Sequence, residues 1–150
     1  MPHSYTSCLM HCVFSTKGRR PVIAPEIARR LWPYLGGVAR ANDMRALVVG
    51  GAVDHVHLLV SIPSTITIAK ALQLLKGNSS NWVNKTYPSL GKFAWQEGYG
   101  AFSVSVSQVD KTVAYINSQE KHHRRKTFEE EFLAFLKRHG IPYDERYVFG

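Results

Sequence analysis

Two apolar runs of strand length, RALVVGGAV (45–53) and HVHLLVSI (55–62), are separated by Asp54 alone. A parallel pair needs a crossover of a dozen or more residues, so these runs pair antiparallel as a hairpin. Every other element must be arranged around that pair.

Upstream, residues 5–16 (YTSCLMHCVFST) have the β-branched and aromatic content of a strand. A basic loop with two prolines, KGRRPVIAP (17–25), leads into a helix expected over Glu26–Asn42. Ile27, Leu31, Leu35 and Val38 recur there at helical spacing, and Pro33 predicts a kink or a late start. Downstream, a helix is expected over Thr67–Lys85, with Ile68, Leu72, Leu75 and Trp82 on its apolar face. A Gly- and aromatic-rich loop (87–100) follows, then a strictly alternating strand, AFSVSVS (101–107). Ser107-x-x-Asp110 reads as the start of a helix carrying Tyr115 and Gln119. Thr127-x-x-Glu130 starts a last helix, closed by Gly140. The order β-α-β-β-α-β predicts an α+β, ferredoxin-like fold: an antiparallel sheet, both crossover helices on one face, and additional C-terminal helices. With 150 residues and no linker or repeat, residues 1–150 read as a single domain. Such a fold hosts many activities and settles none.

The longest apolar runs, Ala46–Val53 and Val56–Ile62, fall well short of the roughly 20 residues of a membrane-spanning helix. The first ten residues carry no basic n-region or cleavage-like site, so a cytoplasmic location is expected. Cys8 and Cys12 lie four residues apart on one strand, about 13 Å, against the roughly 7 Å a disulfide tolerates. With no further cysteine, a structural zinc site is not expected either. Lys and Arg number 19 against 11 Asp and Glu, a net charge of +8 and a pI near 9.7. That excess points to a polyanionic partner.

His55 and His57 sit at i and i+2 of a strand, so their side chains share one face about 6–7 Å apart. Two such imidazoles can chelate one metal ion, although a packed or solvated pair looks the same in sequence. Tyr115 and Gln119 are i and i+4 on a helix, with Cβ atoms about 5–6 Å apart. Gln119 offers a carboxamide oxygen as a third ligand and Tyr115 a phenolic nucleophile; a packed Tyr and a solvated Gln is the plainer reading. Asp54 is expected to point away from His55 across the strand, and Glu120 is turned about 100° from Gln119 on the helix. Basic groups surround these patterns: KHHRRK (121–126), with Lys121, Arg124 and Arg125, follows Gln119 directly, Lys17, Arg19 and Arg20 form a second cluster, and Lys76 stands alone. Such groups contact phosphate or face solvent. Trp95, Tyr99 and Phe102 could stack on unpaired bases or fill the core.

Together these pieces resemble the single-tyrosine HUH transposases of single-stranded insertion sequences, the IS200/IS605-like group. His55-Val56-His57 is similar to the family's HUH motif and Tyr115-Ile116-Asn117-Ser118-Gln119 to its tyrosine helix. HCVFSTKGRRPVI (11–23), KGNSS (76–80), WQEGYGAFSVS (95–105), YINSQEKHHRRKTFEEEF (115–132) and GIPYDERYV (140–148) also resemble it, in the family's order. The resemblance implies a metal-dependent transposase that cleaves and rejoins single-stranded DNA at element ends through a 5′-phosphotyrosine. It assigns the nucleophile to Tyr115 and a Mg²⁺ or Mn²⁺ ion to His55, His57 and Gln119. It implies DNA hairpins near the element ends as partners and a homodimer, with the tyrosine serving its own or its partner's histidines. Lys17, Arg19, Arg20, Lys76, Lys121, Arg124 and Arg125 are the expected DNA contacts. His122, His123 and Lys121 are candidates to assist the tyrosine's deprotonation. The alternatives are a domesticated hairpin-specific endonuclease and a non-catalytic nucleic-acid-binding module. Strands CLMHCVF and HVHLLVSI lack the aromatic pattern of RNA-recognition domains.

Overall fold

The computed structural model describes residues 4–119 and 126–149. The strands are β1 (Leu9–Ser15), β2 (Arg45–Ala52), β3 (His55–Ser61) and β4 (Gly100–Val104). The helices are α1 (Pro25–Ala41), α2 (Ile68–Thr86), α3 (Val109–Asn117) and α4 (Phe128–Arg138). All strand pairs are antiparallel, in the order β2-β3-β1-β4. This is the expected α+β arrangement.

The β2–β3 hairpin is present, with Ala52 opposite His55 and a two-residue turn of Val53 and Asp54. β1 begins later than its composition indicated. Leu9 is already opposite the last residues of both neighbours, Ser61 and Val104, so residues before it have almost nothing to pair with. β4 stops at Val104, short of the alternating AFSVSVS run, because residues 106–108 wind into a 3₁₀ turn. α3 is consequently capped at Gln108 with no side-chain bond, and Ser107 Oγ instead lies 3.1 Å from Ser105 Oγ. α1 runs from Pro25 across Pro33 to Ala41, so Pro33 does not delay its start. Pro25, in the first turn, has no amide hydrogen to leave unsatisfied there.

Strand alternation divides the sheet into two faces. Met10, Cys12 and Phe14 of β1 and Val56, Leu58 and Val60 of β3 pack in one core with Ile27, Leu31 and Leu35 of α1 and Leu72, Leu75 and Val83 of α2. Burying each large side chain contributes about 1.5–3 kcal/mol, so this layer supplies most of the stability. Cys12 lies inside it, and both cysteines are free. Among the described residues no helix is long and apolar enough to cross a membrane.

The opposite face carries His11, Val13, His55, His57 and Phe102, and α3 and α4 cover it. Val13 and Phe102 pack against Phe128, Phe132, Phe135 and Leu136 of α4. Gly50 of β2 lets α3 approach closely, since a Cβ there would stand 2.7 Å from the Ile116 carbonyl oxygen. α4 opens with the expected capping box. Thr127 Oγ1 accepts from the Glu130 amide at 3.2 Å, and Glu130 Oε1 accepts from the Thr127 amide at 3.2 Å. Gly140 follows its end with a φ of +64°.

Candidate active site

His55 and His57 are fully buried on the α3/α4 side of the sheet, with ring centroids 5.0 Å apart. Each ring has its Nδ1 anchored. His55 Nδ1 is 2.8 Å from Asp54 Oδ1, and His57 Nδ1 is 2.7 Å from His11 Nε2. The two Nε2 atoms therefore point the same way, toward oxygens brought by the C-terminal part of the chain. His55 Nε2 is 3.0 Å from Gln119 Oε1 and 3.8 Å from Glu131 Oε1. His57 Nε2 is 3.0 Å from Glu131 Oε1. Gln119 Nε2 donates to the Tyr115 carbonyl at 3.3 Å, which fixes the amide with its oxygen toward His55.

This donor set fits a divalent cation. With Asp54 holding the hydrogen on His55 Nδ1, the Nε2 lone pair faces a carboxamide oxygen. His57 meets a carboxylate in the same way when its Nδ1 donates to His11. Acceptors facing acceptors are satisfied by an added proton or by a shared cation. The ligand atoms of His55, His57 and Glu131 all lie within 4.8 Å of one another, close enough to hold one ion. Two nitrogen and two oxygen donors suit a harder ion than imidazoles alone.

Tyr115 on α3 completes the cluster. Its hydroxyl donates to Glu131 Oε2, and its ring meets those of His57 and Phe135 edge-on at centroid distances of 5.7 and 5.8 Å. Burial pushes the phenol's pKa up, and the hydrogen bond to Glu131 and that carboxylate's charge push it further. Gln119 and Arg138 act in the opposite direction. In this chain Tyr115 thus lies beside the histidines of its own sheet.

The four residues singled out in the sequence, His55, His57, Tyr115 and Gln119, converge. Gln119 lies just past the end of α3 yet still reaches back to Tyr115 at the helical i−4 spacing. Asp54 corrects the strand reading. It sits in the hairpin turn rather than on β3, so its side chain folds onto His55 instead of pointing to the other face. Glu131 was not anticipated. It sits in the acidic run 129–131, which looks like ordinary first-turn charge. Its signal is positional: Phe128, Glu131, Phe132 and Phe135 form one buried stripe, and only this glutamate falls on it. His11 was also missed. It is buried, and burial with His57 alongside lowers its pKa from the usual 6.5 to about 3, against the opposing pull of Glu131.

The basic candidates divide. Lys17 and Arg20 are exposed and line a cleft of about 340 Å³ together with Lys92. Arg19 pairs with Glu129 at 3.1 Å and lies over the Phe149 ring. Lys76 Nζ donates to the Glu97 and Gly98 carbonyls, both at 2.9 Å. Lys121, Arg124 and Arg125, with Glu120, His122 and His123, lie outside the described residues. Two aromatic candidates belong to the core. Trp95 packs edge-on against Phe14 and Phe93 and donates to Ser79 Oγ at 2.9 Å. Phe102 stacks on Phe135. Tyr99 remains exposed.

Comparison with known proteins adds an independent line. Residues 4–119 match the family described as "Transposase IS200 like". The transposase for insertion sequence element IS200 of Salmonella typhimurium strain LT2 is 29% identical over 128 residues, covering 81% of this chain and 80% of that protein. The ISDra2 transposase TnpA of Deinococcus radiodurans is 30% identical over 114 residues, covering 73% and 81%. Among solved structures, a transposase candidate from Deinococcus radiodurans R1 superposes with a TM-score of 0.66 at 25% identity, covering 79% of this chain and 95% of that one. A REP-associated tyrosine transposase solved with a REP hairpin shares the fold, with a TM-score of 0.60 at 13% identity over 82% of this chain and 73% of that one. The family match ends at Gln119, so Glu131 and α4 lie beyond it.

Proposed function

The chain belongs to the IS200-like transposase family, and on that premise we propose that it cuts and rejoins single-stranded DNA with Tyr115 as nucleophile. One observation carries the reading. The Tyr115 hydroxyl, the Nε2 atoms of His55 and His57, and the oxygens of Gln119 and Glu131 converge in one cluster under α3 and α4. A phenol, a chelating donor set and a +8 chain are the parts that metal-assisted transesterification of a phosphodiester requires.

In the first step the Tyr115 oxygen attacks phosphorus. A tyrosine–phosphorus bond forms as the bond to the 3′ oxygen breaks, leaving a 5′-phosphotyrosine and a free 3′-OH. Glu131, which already accepts the hydroxyl's hydrogen bond, stands ready to take its proton. The departing 3′ oxygen takes up a proton from water, and Glu131 returns the phenol's proton to solvent, so no net proton is gained or lost. In the second step a 3′-OH attacks the phosphotyrosine and restores a phosphodiester. One ester replaces another in each step, so no nucleotide cofactor is consumed.

His55, His57, Gln119 and Glu131 would hold a magnesium or manganese ion, which supplies charge neutralisation at the phosphoryl oxygens and the departing oxygen. Asp54 and His11 orient the two imidazoles by holding their Nδ1 atoms. Packing against His57 and Phe135 restricts the Tyr115 ring. DNA hairpins near element ends are the proposed substrate form, and two copies of the chain the proposed acting unit.

The test mixes protein with single strands from each side of the gene and Mn²⁺ or Mg²⁺, then looks for a denaturation-resistant adduct. An adduct on one strand only, absent with Tyr115→Phe, is the expected result. Hairpin binding without an adduct under any of these conditions would favour a non-catalytic binding module instead.

A further inference from the structure

α3 and α4 present matched stripes to each other. On the α3 side, Gln108, Lys111 and Tyr115 recur at helical spacing; on α4, Glu131, Phe135 and Arg138 do the same. The stripes do not close. Between them lies a cleft of about 440 Å³ with Tyr115 and Glu131 at its inner end. Ala134 leaves part of the α4 wall short, which helps keep the space open.

Three cations line this cleft: Lys111 from α3, Lys126 just before α4, and Arg138 from the last turn of α4. All three are exposed, and none has an ion-pair partner among the described residues. The Arg138 guanidinium is held over the Phe135 ring at 5.5 Å, on the cleft wall. The one carboxylate present, Glu131, is already engaged by His57 and Tyr115. The cleft therefore offers positive charge spread along its length, partly apolar walls, and an inner end at the phenol oxygen. A compact anion would use one of these cations. A chain of phosphates joined by sugars would use all three.

We propose that this α3–α4 cleft is a binding subsite for the backbone of single-stranded DNA next to the scissile phosphate, gripped by Lys111, Lys126 and Arg138. The inference rests on the transposase reading above. It also assigns a role to α4, which lies beyond the residues matching the family.

The test measures binding of a fluorescein-labelled, mixed-sequence single strand across a salt series. The protein carries Tyr115→Phe, so that no cleavage intervenes. The triple variant Lys111→Ala, Lys126→Ala, Arg138→Ala is compared with a control, Arg29→Ala, Arg40→Ala, Lys85→Ala, from the helices on the other sheet face. Each lost phosphate contact on a single strand lowers the slope of log K against log salt by about 0.7. The cleft variant should therefore lose about 2 from the slope and bind at least about tenfold more weakly at low salt. The control should keep the slope. Unchanged affinity and slope in the cleft variant overturns the subsite, as does an equal loss in the control. A loss confined to duplex of the same sequence overturns the single-strand assignment. Adduct formation by the wild-type chain is measured in parallel. An adduct with an indifferent cleft variant sinks the subsite alone, and cleft-dependent binding without an adduct sinks the transposase chemistry alone.

Discussion

Glu131 Oε1 lies 3.0 Å from His57 Nε2, joining the last helix to the third strand across 74 residues of sequence. The other oxygen of the same carboxylate accepts the Tyr115 hydroxyl. One buried side chain thus touches both halves of the proposed chemistry, the ion-binding histidines and the nucleophile. An isolated buried carboxylate costs several kcal/mol, and here paired groups and hydrogen bonds offset it. The residue is consequently sensitive to any change that removes its partners.

Replacing Glu131 with Gln keeps the shape and removes the charge. Mn²⁺ affinity, measured by calorimetric titration of the free protein, should fall at least about tenfold, the scale seen when groups supporting a metal site are lost. Affinity equal to wild type would remove Glu131 from the donor set.

Tyr115→Phe should abolish the covalent adduct while DNA binding persists. The same change removes one hydrogen bond to a buried carboxylate, a cost of about 1–3 kcal/mol. At roughly 2–4 °C per kcal/mol for a chain of this size, thermal unfolding should shift down measurably. An adduct formed by this variant would show that another residue is the nucleophile.

Gly50→Ala tests the approach of α3 to the sheet. The added Cβ would stand 2.7 Å from backbone oxygen of Ile116, which cannot rotate away as a side chain could. Destabilisation of about 1–3 kcal/mol is expected, with loss of adduct formation as Tyr115 shifts from His57. Denaturant unfolding and adduct yield measure the two effects. A variant with wild-type stability would mean that α3 is not seated on Gly50.

His11 predicts an acid sensitivity. Its pKa is 6.5 in an unfolded chain and about 3 here, so between those values the unfolded state binds a proton the folded state excludes. This contribution is complete above pH 6.5 and is lost as pH falls through that window, at up to about 1.4 kcal/mol per pH unit. His11→Gln should flatten the decline between pH 7 and pH 4.5 in denaturant titrations. An unaltered decline would assign the acid sensitivity to other groups.

Periodicity was enough for the β-α-β-β-α-β order, the β2–β3 hairpin and the Thr127–Glu130 capping box, because each depends on neighbours within a few residues. It was less reliable at element ends. AFSVSVS alternates perfectly to Ser107, yet β4 stops at Val104, since a strand extends only as far as it has a partner. Trp95 and Phe102 fit base stacking or core equally well on paper. Their place in packed layers depends on Ser79, Phe14 and Phe135, all distant in sequence.

The residues of the candidate site divide in the same way. His55 with His57, and Tyr115 with Gln119, are visible because i+2 on a strand and i+4 on a helix put each pair on one face. The sequence by itself determined those pairs, the order of the elements and the positive charge. Only the tertiary structure decided that the pairs meet, that Asp54 turns back onto His55, and that His11 and Glu131 join them. The reason is physical. Local backbone geometry sets which side chains share a face. Which faces are buried against each other is set by long-range packing, here of α3 on Gly50 and of the α4 phenylalanines on Val13 and Phe102.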